Sequence, residues 1–327
     1  MFTAAETIGL SCVLAFSLPA MAADATSRPG PMTRPATGAT ARALPPGVKL
    51  IENVEYAKVG DRSLLLDVYV PSGPKSPLPL VVWMHGGGWQ SGSKIGGGRV
   101  LPMTQRGYVT ASIDYRLSGE AIFPAQLDDC KAAVRFLRAN AARYGIDPSR
   151  IGVAGASAGG HLASLLGVTG GMKDTEGSVG ANLGQSTRVQ AVVNYYGPTD
   201  LLNPGPVNTD LPRQDWADAR LLGGIPREIP DKARRASPIA YVGNRNLPPF
   251  LLVHGDLDEQ VPLVQSVEFE KAMRAAGHEA TLLIVKDAAH SLRGEKMNRK
   301  RLSEIQDKVY AFFDKHLKNA TSAPASQ

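Results

Sequence analysis

The chain has 327 residues, of which 43% are apolar and 20% are charged, a composition typical of a globular protein with one large or two small domains. The 36 Lys and Arg residues outnumber the 30 Asp and Glu residues and give a formal net charge of +6. These basic residues are scattered and form no block with interleaved aromatic residues, so the sequence does not favour nucleic-acid binding.

The chain begins with an apolar segment that is typical of a secretory signal peptide. Residues 10–22 read LSCVLAFSLPAMA, and the small residues around Met21 fit a signal-peptidase site before Ala23. The segment is too short to span a membrane. We therefore predict a signal peptide over residues 1–22 and a secreted or periplasmic protein without stable membrane insertion. Residues 1–22 contain no Lys or Arg, which departs from this pattern, and the alternative is a cytoplasmic chain with an unstructured N-terminus.

Two further segments lack the periodicity of folded elements. Residues 23–46 are rich in Pro, Ala and Thr, and residues 319–327 read NATSAPASQ. We predict a flexible leader and a disordered tail on either side of a domain over residues 47–318. If cleavage follows Ala22, Cys130 is the one cysteine left, so no intramolecular disulfide can form. We expect this thiol to be buried on the apolar side of a helix.

Apolar runs of strand length alternate with segments of helical periodicity through this domain. We predict strands at 64–70, 78–85, 109–116, 150–155, 188–196, 248–255 and 280–286, and helices at 124–144, after Ser157, at 263–276 and at 299–317. The alternation predicts an α/β fold with a mostly parallel sheet and helices on both faces. Only the strand at 64–70 is expected to pair antiparallel, with the strand before it. Functional residues of such sheets gather at the carboxyl ends of the strands.

A triple glycine follows the strand predicted at 78–85. The sequence MHGGGW over residues 84–89 can turn its backbone amides towards a substrate, since no side chain blocks the approach. Such amides stabilise the negative charge that develops on a carbonyl oxygen during acyl transfer. We predict Gly87 and Gly88 as two oxyanion-hole donors, with the amide of Ala158 as the third. Trp89 is predicted either to line a substrate pocket or to pack in the core.

A single serine lies between small residues where a predicted strand ends and a helix begins. Residues 155–159 read GASAG, the G-x-S-x-G pattern of a nucleophile at a sharp strand-to-helix turn. Gly155 and Gly159 leave room for neighbouring backbone, and the turn raises the hydroxyl of Ser157 above the sheet. The alternative is a glycine-rich phosphate loop, but the Gly-Lys-Ser/Thr sequence of such loops is absent. We therefore predict that Ser157 is a nucleophile.

A serine nucleophile needs an imidazole base and a carboxylate that orients it. We choose His290 as the base because it follows the last predicted strand, at the edge of the sheet where Ser157 lies. The other histidines are assigned to bracing or packing (His85, His161 and His254) or to the surface (His278 and His316). The segment HGDLDEQVP at 254–262 offers three carboxylates. We choose Asp258, and expect Asp256 to cap the turn.

The long stretch 198–247 separates two predicted strands and contains WADARLLGG. We interpret it as a small insertion over the site and not as a separate domain. Only 37 residue steps separate Val48 from His85, and predicted strands occupy most of them. A large N-terminal cap is therefore not expected, and the site should be open.

Four motifs together resemble the esterase branch of the α/β-hydrolases: HGGGW (85–89), DYRL (114–117), DPSRIGVAGASAGGHLA (147–163) and HGDLDEQVP (254–262). They are similar to those of the bacterial acetylxylan/feruloyl-esterase-like hydrolases, near the hormone-sensitive-lipase-like group, over residues 48–318. The resemblance implies an α/β-hydrolase fold and the chain order nucleophile, acid, base. It assigns Ser157, Asp258 and His290 to the catalytic triad and Gly87, Gly88 and Ala158 to the oxyanion hole. One departure is Ala156, where hormone-sensitive-lipase-like proteins usually carry Asp.

The sequence thus predicts a serine carboxylesterase that needs no metal or cofactor. Its expected substrates are short-chain or aromatic acyl esters, such as acetyl or feruloyl groups on plant polysaccharides, because an open site suits bulky alcohols. One alternative is an amidase, arylformamidase or peptidase-like serine hydrolase. A second alternative is a non-catalytic hydrolase-like binding protein. The sequence contains no feature that specifies an oligomeric state.

Overall fold

The computed structural model describes residues 44–73, 76–95, 97–206 and 212–318. The predicted signal peptide over residues 1–22 and the predicted tail over 319–327 lie outside these residues. The predicted leader over 23–46 also lies outside them, except for its last three residues. These three assignments therefore stay predictions.

Eight strands and seven α-helices alternate along the described chain. The strands are β1 (Val48–Val59), β2 (Arg62–Pro71), β3 (Leu78–Met84), β4 (Val109–Ile113), β5 (Ile146–Ala156), β6 (Ala191–Tyr195), β7 (Phe250–Gly255) and β8 (Ala280–Val285). The helices are α1 (Ala125–Ala139), α2 (Ala141–Tyr144), α3 (Ala158–Thr169), α4 (Ala217–Leu222), α5 (Pro230–Arg235), α6 (Val264–Ala275) and α7 (Arg299–Phe313). A 3₁₀ helix covers Gly98–Arg106. No helix of the described residues is long and apolar enough to cross a membrane.

The strands form one sheet in the order β1-β2-β4-β3-β5-β6-β7-β8. All pairs from β4 to β8 are parallel, which confirms the predicted α/β architecture with a mostly parallel sheet. The antiparallel part is larger than predicted, because β2 pairs antiparallel with β4 as well as with β1. The carboxyl ends of β3, β5, β6, β7 and β8 consequently lie at one edge of the sheet.

Side chains alternate between the two faces of the central strands, and each face carries its own hydrophobic core. Val82 of β3 belongs to the core that includes Leu127 of α1 and Phe269 of α6. Its neighbour Trp83 belongs to the second core, which includes Phe313 of α7. Helices therefore cover both faces, as the sequence predicted.

Several predicted elements end earlier than expected, among them one helix and one strand near the site. The helix predicted over 124–144 breaks at Asn140, whose side-chain amide donates a 2.8 Å hydrogen bond to the carbonyl of Phe136 and so competes with the helical bonds. The strand predicted over 109–116 ends at Ile113. The backbone amide of the next residue, Asp114, still donates to the carbonyl of Leu65 in β2 at 2.9 Å, and its carboxylate accepts the backbone amide of Lys94 at 2.7 Å.

Side chains of the motif DYRL at 114–117, directly after β4, contact both α1 and the loop after β3. The hydroxyl of Tyr115 donates to the carbonyl of His85 at 2.8 Å, and the two rings stack at a centroid distance of 4.2 Å. The guanidinium of Arg116 binds the carboxylate of Asp129 with its Nε and Nη2 atoms at 2.9 Å and 2.7 Å. The side chain of Asp129 is fully buried.

We predict that Arg116→Met lowers the free energy of unfolding by about 3–5 kcal/mol, because it leaves the buried carboxylate of Asp129 without its counter-ion. Urea denaturation followed by circular dichroism measures this change. In the double variant Arg116→Met/Asp129→Asn, most of the loss should be recovered, since a neutral amide can still accept the backbone amide of residue 116. A loss below 1 kcal/mol in the single variant would contradict this interpretation.

Candidate active site

Three side chains from separate strand ends form a continuous hydrogen-bonded series. Ser157 directly follows β5, Asp258 lies in the loop after β7, and His290 lies in the loop after β8. Nε2 of His290 is 3.0 Å from Oγ of Ser157, and Nδ1 of His290 is 2.8 Å from Oδ2 of Asp258. The structure therefore brings together the hydroxyl, imidazole and carboxylate that the sequence predicted as a triad.

Ser157 adopts a strained backbone conformation, with φ 54° and ψ −121°. The glycines beside it allow two backbone segments to approach closely. A Cβ added to Gly155 would lie 2.2 Å from the carbonyl oxygen of Gly159. A Cβ added to Gly159 would lie 2.1 Å from the carbonyl oxygen of Met84, at the end of β3. The turn at Ser157 thus depends on glycine at both positions.

The carboxylate of Asp258 is buried and receives several hydrogen bonds. Oδ1 accepts the backbone amides of Gln260 at 3.0 Å and Val261 at 2.9 Å. Oδ2 faces His290 and also lies 3.3 Å from Nε2 of His254. Burial alone would raise the pKa of Asp258, but these hydrogen bonds outweigh it and hold the pKa well below its ordinary value. Asp258 is therefore ionised at neutral pH.

His254 braces the loop that carries Asp258. Its Nε2 donates to the carbonyl of Val261 at 2.8 Å, and its Nδ1 lies 2.7 Å from Oγ of Ser266 in α6. The carbonyl partner requires the proton on Nε2, so Nδ1 accepts from the hydroxyl of Ser266. Asp256 points elsewhere and pairs with Lys286 at 3.2 Å, so it takes no part in the series.

The loop that carries His290 is contacted by two residues that the sequence did not predict, Tyr196 and Arg99. The ring of Tyr196 packs edge-on against His290 at a centroid distance of 4.9 Å. Nη2 of Arg99 donates to the carbonyl of Ser291 at 3.2 Å and contacts the hydroxyl of Tyr196 at 3.5 Å. Ser291 and Leu292 both have positive φ, so Arg99 holds a strained turn. The one signal in the sequence was the position of Tyr196 directly after β6.

The loop after β3 presents backbone amides next to Ser157. Gly87 and Gly88 have φ values of 115° and 59°, and their amides donate no hydrogen bond to any residue that the structure describes. The amide of Ala158 is the first of α3 and has no intrahelical acceptor. Gly88 and Ala158 line the cavity at Ser157, whereas Gly87 does not. A Cβ on Gly87 would lie 2.2 Å from the carbonyl oxygen of Ser91.

A cavity of about 330 Å³ opens at Ser157 and His290. Its walls are mostly apolar, and much of them comes from the insertion at 198–247, as expected, through Pro198, Leu201, Pro204, Trp216, Ala217 and Asp218. Trp89 lines the cavity and also packs edge-on against His161 at a ring centroid distance of 5.1 Å. Trp216 and Asp218 were not predicted, although the quoted stretch WADARLLGG contains both.

The remaining histidines have structural contacts. Burial lowers the pKa of His161 to about 4 and also lowers the pKa of His85, so both rings are neutral at neutral pH. His161 donates to the carbonyl of Ala236 at 2.7 Å. His278 and His316 were predicted on the surface, but both are partly buried. Nε2 of His278 bonds the carbonyl of Val242 at 3.0 Å, and Nε2 of His316 lies 3.3 Å from Glu279.

The chain is similar in sequence to known esterases. The BD-FAE family model matches residues 66–273. Esterase LipC of Mycobacterium tuberculosis is 36% identical over 232 residues, which are 66% of this chain and 53% of LipC. The chain thus spans about half the length of the first curated relatives it matches.

Solved structures that are similar over most of the chain include two esterases. The truncated carbohydrate esterase from gut microbiota has a TM-score of 0.72 and 34% identity, over 81% of this chain and 96% of that one. The butyrate-bound esterase Est2 of Thermogutta terrifontis has a TM-score of 0.64 and 27% identity, over 86% of this chain and 97% of that one.

We predict that Gly159→Ala lowers the free energy of unfolding by about 1–3 kcal/mol, as an overpacked core does, because the new methyl group meets backbone that cannot move aside. Alanine is otherwise a better helix former than glycine. A lower free energy of unfolding at this helical position would therefore be due to the close contact. Gly119→Ala is the control, since nothing lies within 4 Å of a Cβ there. Urea denaturation of both variants measures the difference, and equal stabilities would contradict the prediction.

Proposed function

The chain belongs to the BD-FAE family, and from this membership and the geometry at Ser157 we propose that it is a serine esterase. The observation that carries the proposal is the series of hydrogen bonds from Oγ of Ser157 through His290 to Asp258. Such a series can turn a weakly nucleophilic hydroxyl into one that attacks an ester. The cavity at Ser157 is also lined by Gly88 and Ala158, whose backbone amides can donate hydrogen bonds to a substrate.

In the first half of the proposed reaction, Oγ of Ser157 attacks the carbonyl carbon of the ester while Nε2 of His290 takes the hydroxyl proton. The carbonyl oxygen becomes an oxyanion, which the backbone amides of Gly87, Gly88 and Ala158 would stabilise. When the bond to the leaving oxygen breaks, His290 gives its proton to the departing alcohol. The acyl group stays on Ser157.

In the second half, His290 takes a proton from water, and the resulting hydroxide attacks the acyl carbonyl. The bond to Oγ breaks, His290 returns the proton to Ser157, and the carboxylic acid leaves. Asp258 stays ionised throughout and holds Nδ1–H of His290, so that Nε2 faces Ser157. The lowered pKa of Asp258 supports this role. The scheme uses no metal or cofactor.

We further propose short-chain or aromatic acyl esters, including acetyl or feruloyl groups on polysaccharides, as substrates. The cavity of about 330 Å³ is at the lower end of the range of small-molecule sites, roughly 300–1,000 Å³. The similarity to a carbohydrate esterase and to an esterase with bound butyrate supports the same substrate class.

Ser157→Ala should abolish covalent labelling by a fluorophosphonate probe and lower kcat for p-nitrophenyl acetate by roughly 10⁴-fold or more. The reason is that no other group replaces the nucleophile. Labelling is read by gel fluorescence and intact mass. Ser149→Ala is the control, because Ser149 is exposed near the beginning of β5 and does not line the cavity. An unlabelled wild-type protein, or equal labelling of the Ser157 variant, would favour a non-catalytic binding protein.

Acyl specificity separates the proposed substrates from lipid-like esters. We expect kcat/KM to be at least tenfold higher for p-nitrophenyl acetate, p-nitrophenyl butyrate or methyl ferulate than for p-nitrophenyl octanoate, since the cavity is small. p-Nitroacetanilide tests the amidase alternative in the same assay. A preference for acyl chains of eight or more carbons, or for the amide, would overturn the proposed substrate class.

A further inference from the structure

One wall of the cavity is formed by Trp216, Ala217 and Asp218, at the beginning of α4. This wall lies directly against the loop after β3, because a Cβ on Gly88 would be 3.3 Å from Cβ of Ala217. Gly88 and Ser157 line the same cavity. A chemical group bound at this wall would therefore lie beside the ester bond. None of the three wall residues has a part in the proposed reaction.

The polar group of this wall is the carboxylate of Asp218, whose side chain is only 11% exposed. Arg213 binds it in a bidentate pair, with Nη1 at 2.7 Å from Oδ1 and Nη2 at 2.8 Å from Oδ2. Oδ1 also accepts the backbone amide of Ala219 at 2.8 Å. Oδ2 accepts one hydrogen bond from the residues that the structure describes. Because a carboxylate oxygen can accept two, Oδ2 can accept one more from a ligand.

The pairing with Arg213 decides which ligands suit this carboxylate. Because the guanidinium neutralises the negative charge of Asp218, the pair attracts a free cation only weakly. It can still accept a strong hydrogen bond from a neutral hydroxyl, since the acceptor is ionised. The position of Asp218 is fixed by the bidentate geometry, so an incoming hydroxyl meets an acceptor that is already oriented.

The aromatic group of the wall is Trp216, and the same arginine holds it. The guanidinium carbon of Arg213 lies 4.2 Å from the centroid of the indole ring. Arg213 thus positions both the aromatic surface and the carboxylate. An apolar surface beside a hydroxyl acceptor matches a sugar ring, which has C–H groups on its faces and hydroxyl groups around its edge.

From these contacts we propose that Trp216 and Asp218 form a subsite for a neutral sugar ring of the substrate. A sugar hydroxyl donates to Oδ2 of Asp218, and the C–H groups of the ring pack against Trp216. The inference rests on the proposed esterase function and deepens it, because it names the residues that recognise the carbohydrate. It assigns Asp218 and Trp216 to specificity and leaves the acyl transfer to the residues at Ser157.

The test compares one ester that carries a sugar with one that does not. Kinetics of wild type, Asp218→Asn and Trp216→Leu are measured on acetylated xylobiose and on p-nitrophenyl acetate. We expect each substitution to lower kcat/KM for acetylated xylobiose roughly tenfold or more, chiefly through KM, since a charge-assisted hydrogen bond or an aromatic contact is lost. The value for p-nitrophenyl acetate should fall by a clearly smaller factor, roughly threefold or less, because this substrate fills the same cavity but carries no sugar ring.

Asp215→Asn is the matched control, because Asp215 belongs to the same segment but pairs with the exposed Arg220 and does not line the cavity. It should leave both substrates within twofold of wild type. Thermal melts of all variants identify any loss of fold. Equal losses on both substrates, or no loss on the sugar ester, would overturn the subsite while leaving the esterase intact. A wild-type protein that hydrolyses neither ester would overturn the proposed function itself.

Discussion

The close approach of two backbone segments is the constraint on which the whole site depends. Gly159 lies so near the end of β3, and Gly155 so near Gly159, that a Cβ on either glycine would lie 2.2 Å or less from a backbone oxygen. This contact sets the hydroxyl of Ser157 beside the amides of the glycine loop. It also explains why the backbone of Ser157 is held at φ 54°, a conformation that packing from both sides must maintain.

The rest of the site is stabilised by buried polar contacts that orient single groups. Asp258 is held from two directions, by the amides of its own loop and by the imidazoles of His254 and His290. His254 in turn is anchored on α6 through Ser266. On the other side, Tyr115 fixes His85 at the base of the glycine loop. Each chemical group thus has a neighbour that limits its movement, as pre-organised sites require.

The sequence predicted the parts of the site that depend on local pattern. Ser157, Asp258 and His290 could be found because each follows a strand of a parallel sheet, and the carboxyl ends of such strands meet at one edge. The break at Asn140 was missed because a helix-breaking side-chain bond leaves the hydrophobic periodicity unchanged. Trp216 and Asp218 were missed for a different reason. Their placement depends on how the long insertion folds over the cavity, and neither strand nor helix periodicity specifies that packing.

The order of the strands places Ser157 and His290 in parts of the sheet that differ in local stability. β5 is central and pairs with β3 and β6, whereas β8 is the outermost strand of the described sheet on its side. Edge strands open locally at a lower free energy than central ones, so amide hydrogens of β8 should exchange with solvent before those of β5. Local opening of β8 can thus move the imidazole of His290 away from Ser157 while the turn at Ser157 remains folded. Heat inactivation of such a molecule would begin as reversible fraying, well before its global melting.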